Sequence, residues 1–383
     1  MANNRTANCK AVIIGGGIGG LATAIALKAI GVSVAVFERV TELREVGAGL
    51  SLWANAIKAL DALGLGVEIL AMALPETSGG IHGPDGRLLM SMTNAQLAAQ
   101  FGELSIMVHR AELHDLLRRR VGQEIRLGMD CIAVQQDAEG ITATFRNGEE
   151  IRGDLLIGAD GIRSVVRAQL HGQQPPIYAG YTAWRGVVPF DHALLPGETW
   201  GRGARFGQIP MQEVAFTGLP PTTEQRLNRA PMGKKQSCCG FWRLAPPIHA
   251  LLAATPEADI LHNDIYDRPP LRWWGRDRIT LLGDAAHPMT PNLGQGACQA
   301  LEDAVVLAKQ LQVHSDIAAA LQAYEAQRIP RTTMIVQQSR RVGWVGQWAN
   351  PLAVAGRNFL VKHLLSRLQY GQLAPMIGFD VTA

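Results

Sequence analysis

Cysteine is sparse in this chain: 383 residues hold five, Cys9, Cys131, Cys238, Cys239 and Cys298. The number is odd and the spacing matches no zinc-ligand pattern. The sequence therefore reads neither as a disulfide-stapled domain nor as a metal site, and implies a reducing compartment with free thiols. Cys298 reads as a small packing residue of a helix. Strong charge is lacking as well. The formal net charge is +3, too small to mark a nucleic-acid partner, and Arg118-Arg119-Arg120 read as a solvated helix face. A clean apolar run is missing too. Residues 11–37 come nearest to an integral membrane segment, but Gly15 to Gly20 and Lys28 interrupt them. The N-terminus has no leader-like pattern, which makes the cytoplasm the expected location. No nucleophile–base constellation stands out either, so the chemistry is expected to come from a bound cofactor.

What is present is apolar and glycine-rich. Apolar residues make up 47% of the chain and glycines number 41. The length suffices for one large domain or two interleaved ones with a substantial core. Two glycine clusters carry the signal. In the first, Ala11–Ile14 reads as a buried strand, Leu21–Ile30 as a helix closed by Gly31, and Val32–Phe37 as the next strand, ending at Glu38. Between strand and helix, Gly15, Gly17 and Gly20 have the GxGxxG spacing. Gly15 permits a tight turn, Gly17 lets backbone approach a pyrophosphate, and Gly20 allows helix to pack on strand. The helix end offers unpaired N–H groups to the anion. Glu38 stands where a carboxylate accepts hydrogen bonds from ribose hydroxyls. This unit predicts a bound dinucleotide without separating FAD from NAD.

In the second cluster the strand Ile279–Leu282 runs into Gly283-Asp284-Ala285-Ala286-His287-Pro288, then Gly294-Gln295-Gly296. Asp284 follows the strand directly, at the sheet end where α/β folds bind ligands. Pro288 and Pro291 stiffen the loop, and Gly294 and Gly296 free backbone N–H groups. The helix from Ala297 to about Gln312 has an inward stripe of Leu301, Ala304, Val305, Ala308 and Leu311. Its positive end faces back toward the loop, suited to an anionic reduced cofactor. His287 reads as a loop-ordering residue.

These two clusters, together with Gly158-Ala159-Asp160-Gly161, resemble the three fingerprints of single-component FAD-dependent aromatic hydroxylases, the group A flavoprotein monooxygenases. The pattern is nearest to the urate-hydroxylase and zeaxanthin-epoxidase-like branch and spans about residues 9–210 and 245–335. The resemblance implies an α/β fold. A Rossmann-like FAD-binding domain (about 1–76, 103–175 and 276–335) is interleaved with a mostly antiparallel substrate domain (77–102 and 176–275), before a C-terminal helical region (336–383). It implies that Gly15, Gly17, Gly20, Glu38 and Arg39 hold the ADP half of FAD, that Arg110 contacts FAD, and that Asp160 and Gly161 serve FAD and NAD(P)H. Asp284 would lie near the ribityl and pyrophosphate, Pro288 near the flavin ring, and Leu293, Gly294, Gln295 and Gly296 would offer it backbone N–H groups. The implied activity uses NAD(P)H and O2 to hydroxylate or epoxidise an electron-rich ring through a flavin C4a-hydroperoxide. The partners are then small molecules, in a monomer or homodimer.

The substrate residues are expected in mid-chain. Tyr178 to Gly186 alternates like a strand over the flavin and resembles a Y-x-G-x-x-x-[YW]-R-G stretch of several hydroxylases. On a strand Trp184 and Arg185 face opposite ways; Arg185 is the candidate contact for substrate or NAD(P)H, with a surface salt bridge as the alternative. Residues 212–242 break the pattern, with little periodicity around Lys234-Lys235 and Cys238-Cys239. One explanation is a compensated shift of reading frame over about 213–242, since codons can be chosen for which one offset restores a family-like strand and helix. A flavin-binding pseudoenzyme with an impaired substrate domain, or another FAD oxidoreductase of the same fold, is the alternative function. Sequencing the gene tests the shift: actual codons that yield no strand- and helix-like peptide at a single offset dispose of it.

Overall fold

A computed structural model describes residues 9–43, 49–73, 79–188, 197–210, 214–219 and 246–381. Lys10–Ile14 forms the centre of a five-stranded sheet in the order Ile279–Leu281, Leu155–Gly158, Lys10–Ile14, Ser33–Phe37, Ile125–Arg126. Every pairing in it is parallel. Ala11, Val12, Ile13, Leu155, Leu156 and Ile157 are 0% exposed, the continuous apolar run that a parallel sheet covered on both faces requires. Helix Ile18–Ala29 returns across it and begins three residues earlier than the periodicity predicts, because extended Gly17 already serves as its N-cap. Gly31, at φ +85, lets the chain turn into the next strand. Helix Gly296–Val313 packs on Ile18–Ala29. A Cβ at Gly19 would stand 2.8 Å from Leu282 and 3.1 Å from Ala300, so glycine sets how closely these two helices approach.

A second, seven-stranded sheet has the order Leu261–Asp267, Ile177–Val188, Val214–Leu219, Arg205–Pro210, Gly197–Trp200, Gly79–His82, Leu88–Met92. All its pairings are antiparallel except Gly197–Trp200 with Gly79–His82. The fold class is thus α/β, with a Rossmann-like sheet beside a mostly antiparallel one. The stretch read as lacking periodicity needs one correction. Val214–Leu219 is a regular strand, laddered to Ile177–Val188 on one side and Arg205–Pro210 on the other. Backbone N–H and C=O groups on both neighbours make the pairing, and they do not depend on side-chain pattern. The rest of 212–242, with Cys238 and Cys239, lies outside the described residues.

Helix Ile317–Gly346 closes the molecule, and the C-terminal region follows as helix Pro351–Leu360, a π turn Val361–Leu365 and helix Ser366–Ile377. Beyond Asn350 the expected C-terminal helical region is thus two helices joined by a wider turn. Arg118 and Arg119 pair with Asp115 on their own helix, and Arg120 with Glu68, all exposed. Cys298 is buried in the core. No helix among the described residues is long and apolar enough to cross a membrane.

Gly20 is the tightest point of the first layer: a Cβ there would stand 2.0 Å from the Gly15 carbonyl oxygen. Gly20→Val should therefore cost about 1–3 kcal/mol of stability through overpacking. Urea unfolding of variant and wild type measures it, and coincident midpoints contradict this packing.

Candidate active site

The first glycine loop is built by contacts that only glycine allows. Gly15 has φ +110, and its Cβ would lie 2.3 Å from the Ala159 carbonyl oxygen. Gly17 meets nothing within 4 Å on its Cβ side and lines the cavity described below. Gly16 N–H donates to Glu38 Oε2 at 2.8 Å, and its carbonyl meets the buried His114 ring at 2.7 Å. His114 thus holds the loop from the far side, a role no motif announces. Helix Ile18–Ala29 starts without a side-chain cap, so its first N–H groups remain available to an anion.

The second loop is anchored through one carboxylate. Asp303, 0% exposed, accepts from Gly283 N–H at 3.0 Å and from Arg328 Nε at 2.7 Å, and bonds His287 Nε2 at 2.6 Å. Burial alone would raise its pKa; the His287 and Arg328 charges and hydrogen bonds override that and hold it at about 2. Its neighbour Glu302 is equally buried. It pairs with Arg328 and Arg331 and accepts from Asn55 Nδ2 at 2.6 Å. Arg167 reaches the same loop from the helix after Asp160, donating to the Ala285 and Ala286 carbonyls at 3.0 Å each. With its backbone so held, Asp284 projects into the cavity and keeps an accessible surface. The walls around it push its pKa up, against the pull of His287 and Arg110. Gly294, at φ +62, ends a short 3-10 turn, and helix Gly296–Val313 opens without a side-chain cap.

Both helix ends face one cavity of about 1560 Å3, larger than the roughly 300–1,000 Å3 of an ordinary small-molecule site. The Gly17, Gly161, Arg110, Asp284, Pro288, Leu293, Gly294 and Gly296 positions all line it. Among the described residues, Trp53 Nε1 and Ser105 Oγ, on lining residues, are buried and have no hydrogen-bond partner, and buried polar groups want one. Other predicted residues turn elsewhere. Arg39 is exposed outside the walls. Glu38 lies outside them too, its carboxylate accepting from Gly16 and Val40 N–H. Asp160 caps the following helix, accepting from Val165 N–H at 2.7 Å, and burial raises its pKa. The Gln295 side chain bonds Asn55 and Gln299 in the buried network.

The large sheet forms the opposite wall. Arg185 faces the cavity while Trp184 is buried on the reverse side, as strand alternation predicts. Arg185 forms no ion pair with a carboxylate among the described residues. Burial, then the Arg110 charge, lowers its pKa. Farther along the sheet lies a group that sequence reading missed. Arg205, 1% exposed, donates to both Glu198 oxygens at 2.6 and 2.8 Å and to Asn292 Oδ1 at 2.6 Å. Asn292 Nδ2 donates to Tyr181 OH at 2.9 Å and to the Ser339 carbonyl at 2.9 Å. Glycines on the long helix make the space: a Cβ at Gly343 would sit 2.4 Å from Asn292, and one at Gly346 2.7 Å from Arg205.

Residues 8–339 match the family described as FAD binding domain. The chain is 39% identical to the aurachin C monooxygenase/isomerase of Stigmatella aurantiaca, over 93% of this chain and 94% of that protein. It is 34% identical to the 2-heptyl-3-hydroxy-4(1H)-quinolone synthase of Pseudomonas aeruginosa, over 92% and 93%. The structure of Klebsiella pneumoniae HpxO complexed with FAD and uric acid superposes with a TM-score of 0.89 at 32% identity, covering 97% of this chain and 98% of that one.

Asp303 also ties stability to pH. Its carboxyl is depressed from 3.8 to about 2, so the stabilisation is complete above the unfolded value and is lost as pH falls through the folded one. Wild type should lose about 2 kcal/mol to this group between roughly pH 4 and pH 2. Asp303→Asn should lack that component and be less stable by about 3–5 kcal/mol at neutral pH, with Arg328 and His287 left short of their acceptor. Urea unfolding across the pH series reads both; parallel pH profiles for the two proteins contradict the assignment.

Proposed function

From the premise that this chain belongs to the FAD-binding-domain family of group A flavoprotein monooxygenases, we propose how its residues divide the labour of that activity. The protein is an FAD-dependent monooxygenase, an oxidoreductase acting on a ring substrate. The observation that carries the reading is the meeting of two uncapped helix ends, one from each glycine loop, at a single cavity. Unpaired N–H groups at one end suit a pyrophosphate, and those at the other suit an anionic ring system.

In this reading Gly17 brings backbone to the FAD pyrophosphate, with Gly15 and Gly20 shaping the loop behind it and Arg110 beside it. Glu38 and Arg39 meet the adenosine ribose; the Glu38 oxygens keep acceptor capacity beyond their bonds to Gly16 and Val40. Asp160 holds its loop so that Gly161 reaches the cofactor. Asp284 serves the ribityl chain, and Pro288, Leu293, Gly294, Gln295 and Gly296 border the flavin ring, Gln295 through backbone only. The FAD-binding part comprises about 1–76, 103–175 and 276–335, and the substrate part 77–102 and 176–275. FAD held by these residues would supply the redox chemistry, with NAD(P)H as hydride donor and O2 as oxidant. The protein's own task is to bind, orient and exclude water. Arg185, beside Arg110, offers a cationic edge to NAD(P)H. We infer a cytoplasmic monomer or homodimer.

The substrate in this reading is a flat nitrogen heterocycle, the class named by uric acid and by the quinolone of two relatives. Arg205, Glu198 and Asn292 form its polar floor. Glu198 cancels the Arg205 charge, so the floor offers hydrogen bonds without net charge, which favours a neutral ring over a carboxylate. An impaired pseudoenzyme is the disfavoured alternative, since the strand Val214–Leu219 completes the substrate sheet.

FAD-reconstituted protein should oxidise NAD(P)H slowly alone and faster with 4(1H)-quinolones or urate, yielding a product one oxygen heavier by mass spectrometry. Protein without flavin absorbance, or stimulation without product, contradicts the reading. Arg185→Gln should keep its flavin and raise KM for NAD(P)H about tenfold, the worth of one charge-assisted contact. Steady-state kinetics decide it, and an unchanged KM removes Arg185 from that role.

A further inference from the structure

One row of residues in register crosses the large sheet at the cavity wall. Leu261 pairs with Arg185, Arg185 with Thr217, Thr217 with Gly207, Gly207 with Glu198, Glu198 with Ile81, and Ile81 with Met90. Of these, Leu261, Arg185, Gly207, Glu198, Ile81 and Met90 line the cavity, so the row is a cross-section of its wall. It begins beside the Arg185 cation, crosses the Glu198–Arg205 pair and ends on two apolar side chains, Ile81 and, on the edge strand, Met90. The C-terminal π turn and the helix after it pack against that edge strand, Leu88–Met92, and the last helix also packs on Asn94–Phe101. From these elements Leu97, Val361, Leu365 and Leu373 join Ile81 and Met90 in the wall. The charged residues of the lining are Arg110, Arg185, Glu198, Arg205, Asp264, Asp284 and Arg341, and every one belongs to another element.

Two features argue that this end is a binding site. The first is position: the apolar end opens into the same cavity and lies beyond the polar floor that meets the ring. The second is the π turn itself. Such turns are rare and recur at functional sites. Here the wider turn carries Val361 and Leu365 to the cavity wall while Lys362, His363 and Leu364 stay exposed.

We propose that this apolar end is a subsite for a hydrocarbon tail carried by the ring substrate. The tail would lie between the strands Gly79–His82 and Leu88–Met92 and the C-terminal π turn, with Met90 and Leu365 on opposite sides of it. The proposal rests on the ring-monooxygenase reading above and adds to it a substrate class, a heterocycle bearing an unbranched alkyl chain. Each methylene buried in such a bed is worth about 0.8 kcal/mol, close to fourfold in affinity, before the bed is full.

The test titrates the FAD-loaded enzyme, by calorimetry, with two ring series: 2-methyl- and 2-heptyl-4(1H)-quinolone, and 4-methyl- and 4-heptylphenol. Product formation is followed in parallel. Affinity should rise at least about a hundredfold from methyl to heptyl in both series. Met90→Trp and Leu365→Trp, which fill the bed from opposite sides, should each remove most of that gain and leave the flavin spectrum and the methyl affinities unchanged. Equal affinity for methyl and heptyl members, or a heptyl advantage surviving in both variants, overturns the subsite. A chain-length effect abolished by the variants, but with no product from either series, keeps the subsite and overturns the ring assignment instead.

Discussion

Asp303 is ionised in a place where no water reaches it. Burial opposes that charge, and it persists because Arg328, His287 and the Gly283 N–H all converge on two oxygens. The arrangement draws on three separate stretches of chain: the strand-to-loop junction at Gly283, the helix carrying Asp303 and the long helix carrying Arg328. Fixing Gly283 fixes Asp284, the next residue, at the cavity wall. The neighbouring Glu302 repeats the device with Arg331 and Asn55, and Arg331 also donates to the Pro375 and Met376 carbonyls at 2.6 Å. One buried ion network therefore joins the second glycine loop to the last helix. Such a network adds little net stability over an apolar core, but removing any one member strands the others. Its value here is geometric.

That rigidity gives the cavity two distinct walls. One is backbone: glycine loops and helix ends whose N–H groups cannot be supplied by side chains without filling the space they border. The other is a sheet whose cavity-facing row changes from cationic, through a neutralised arginine–glutamate pair, to apolar. A monooxygenase must hold cofactor, hydride donor and substrate near one another while keeping water out, and a wall of graded polarity separates what each of them needs. Two glycines of the closing helix, Gly343 and Gly346, lie against Asn292 and Arg205, so the polar floor is shaped from behind by the absence of side chains.

The parts legible in the sequence were those governed by neighbours in the chain. The first βαβ unit is local, and so is the strand, loop and helix around Asp284; each glycine there reports its own backbone. Strand alternation likewise assigned Trp184 and Arg185 to opposite faces. The Arg205–Asn292 contact was not legible, because its partners are far apart in sequence and neither residue belongs to a periodic pattern. The same holds for His114 under Gly16 and for the Glu302–Asp303–Arg328 network. Val214–Leu219 was misread for a different reason: its side chains carry little strand signal, while the backbones on either side offer complete ladders.

By itself, then, the sequence determined that a dinucleotide is bound at a glycine turn, that a second loop of matching kind follows a later strand, and which family the three motifs resemble. These follow from φ angles, spacing and helix polarity, which act within a few residues. Only the tertiary structure decided that both loops open on one cavity, that the Glu38 and Asp160 carboxylates serve backbone N–H groups, and that Arg205 is neutralised by Glu198. It alone decided that an apolar recess lies between the edge strand and the C-terminal π turn. Those outcomes depend on distances between residues that the chain itself leaves far apart, and packing of two sheets and the closing helices is what sets them.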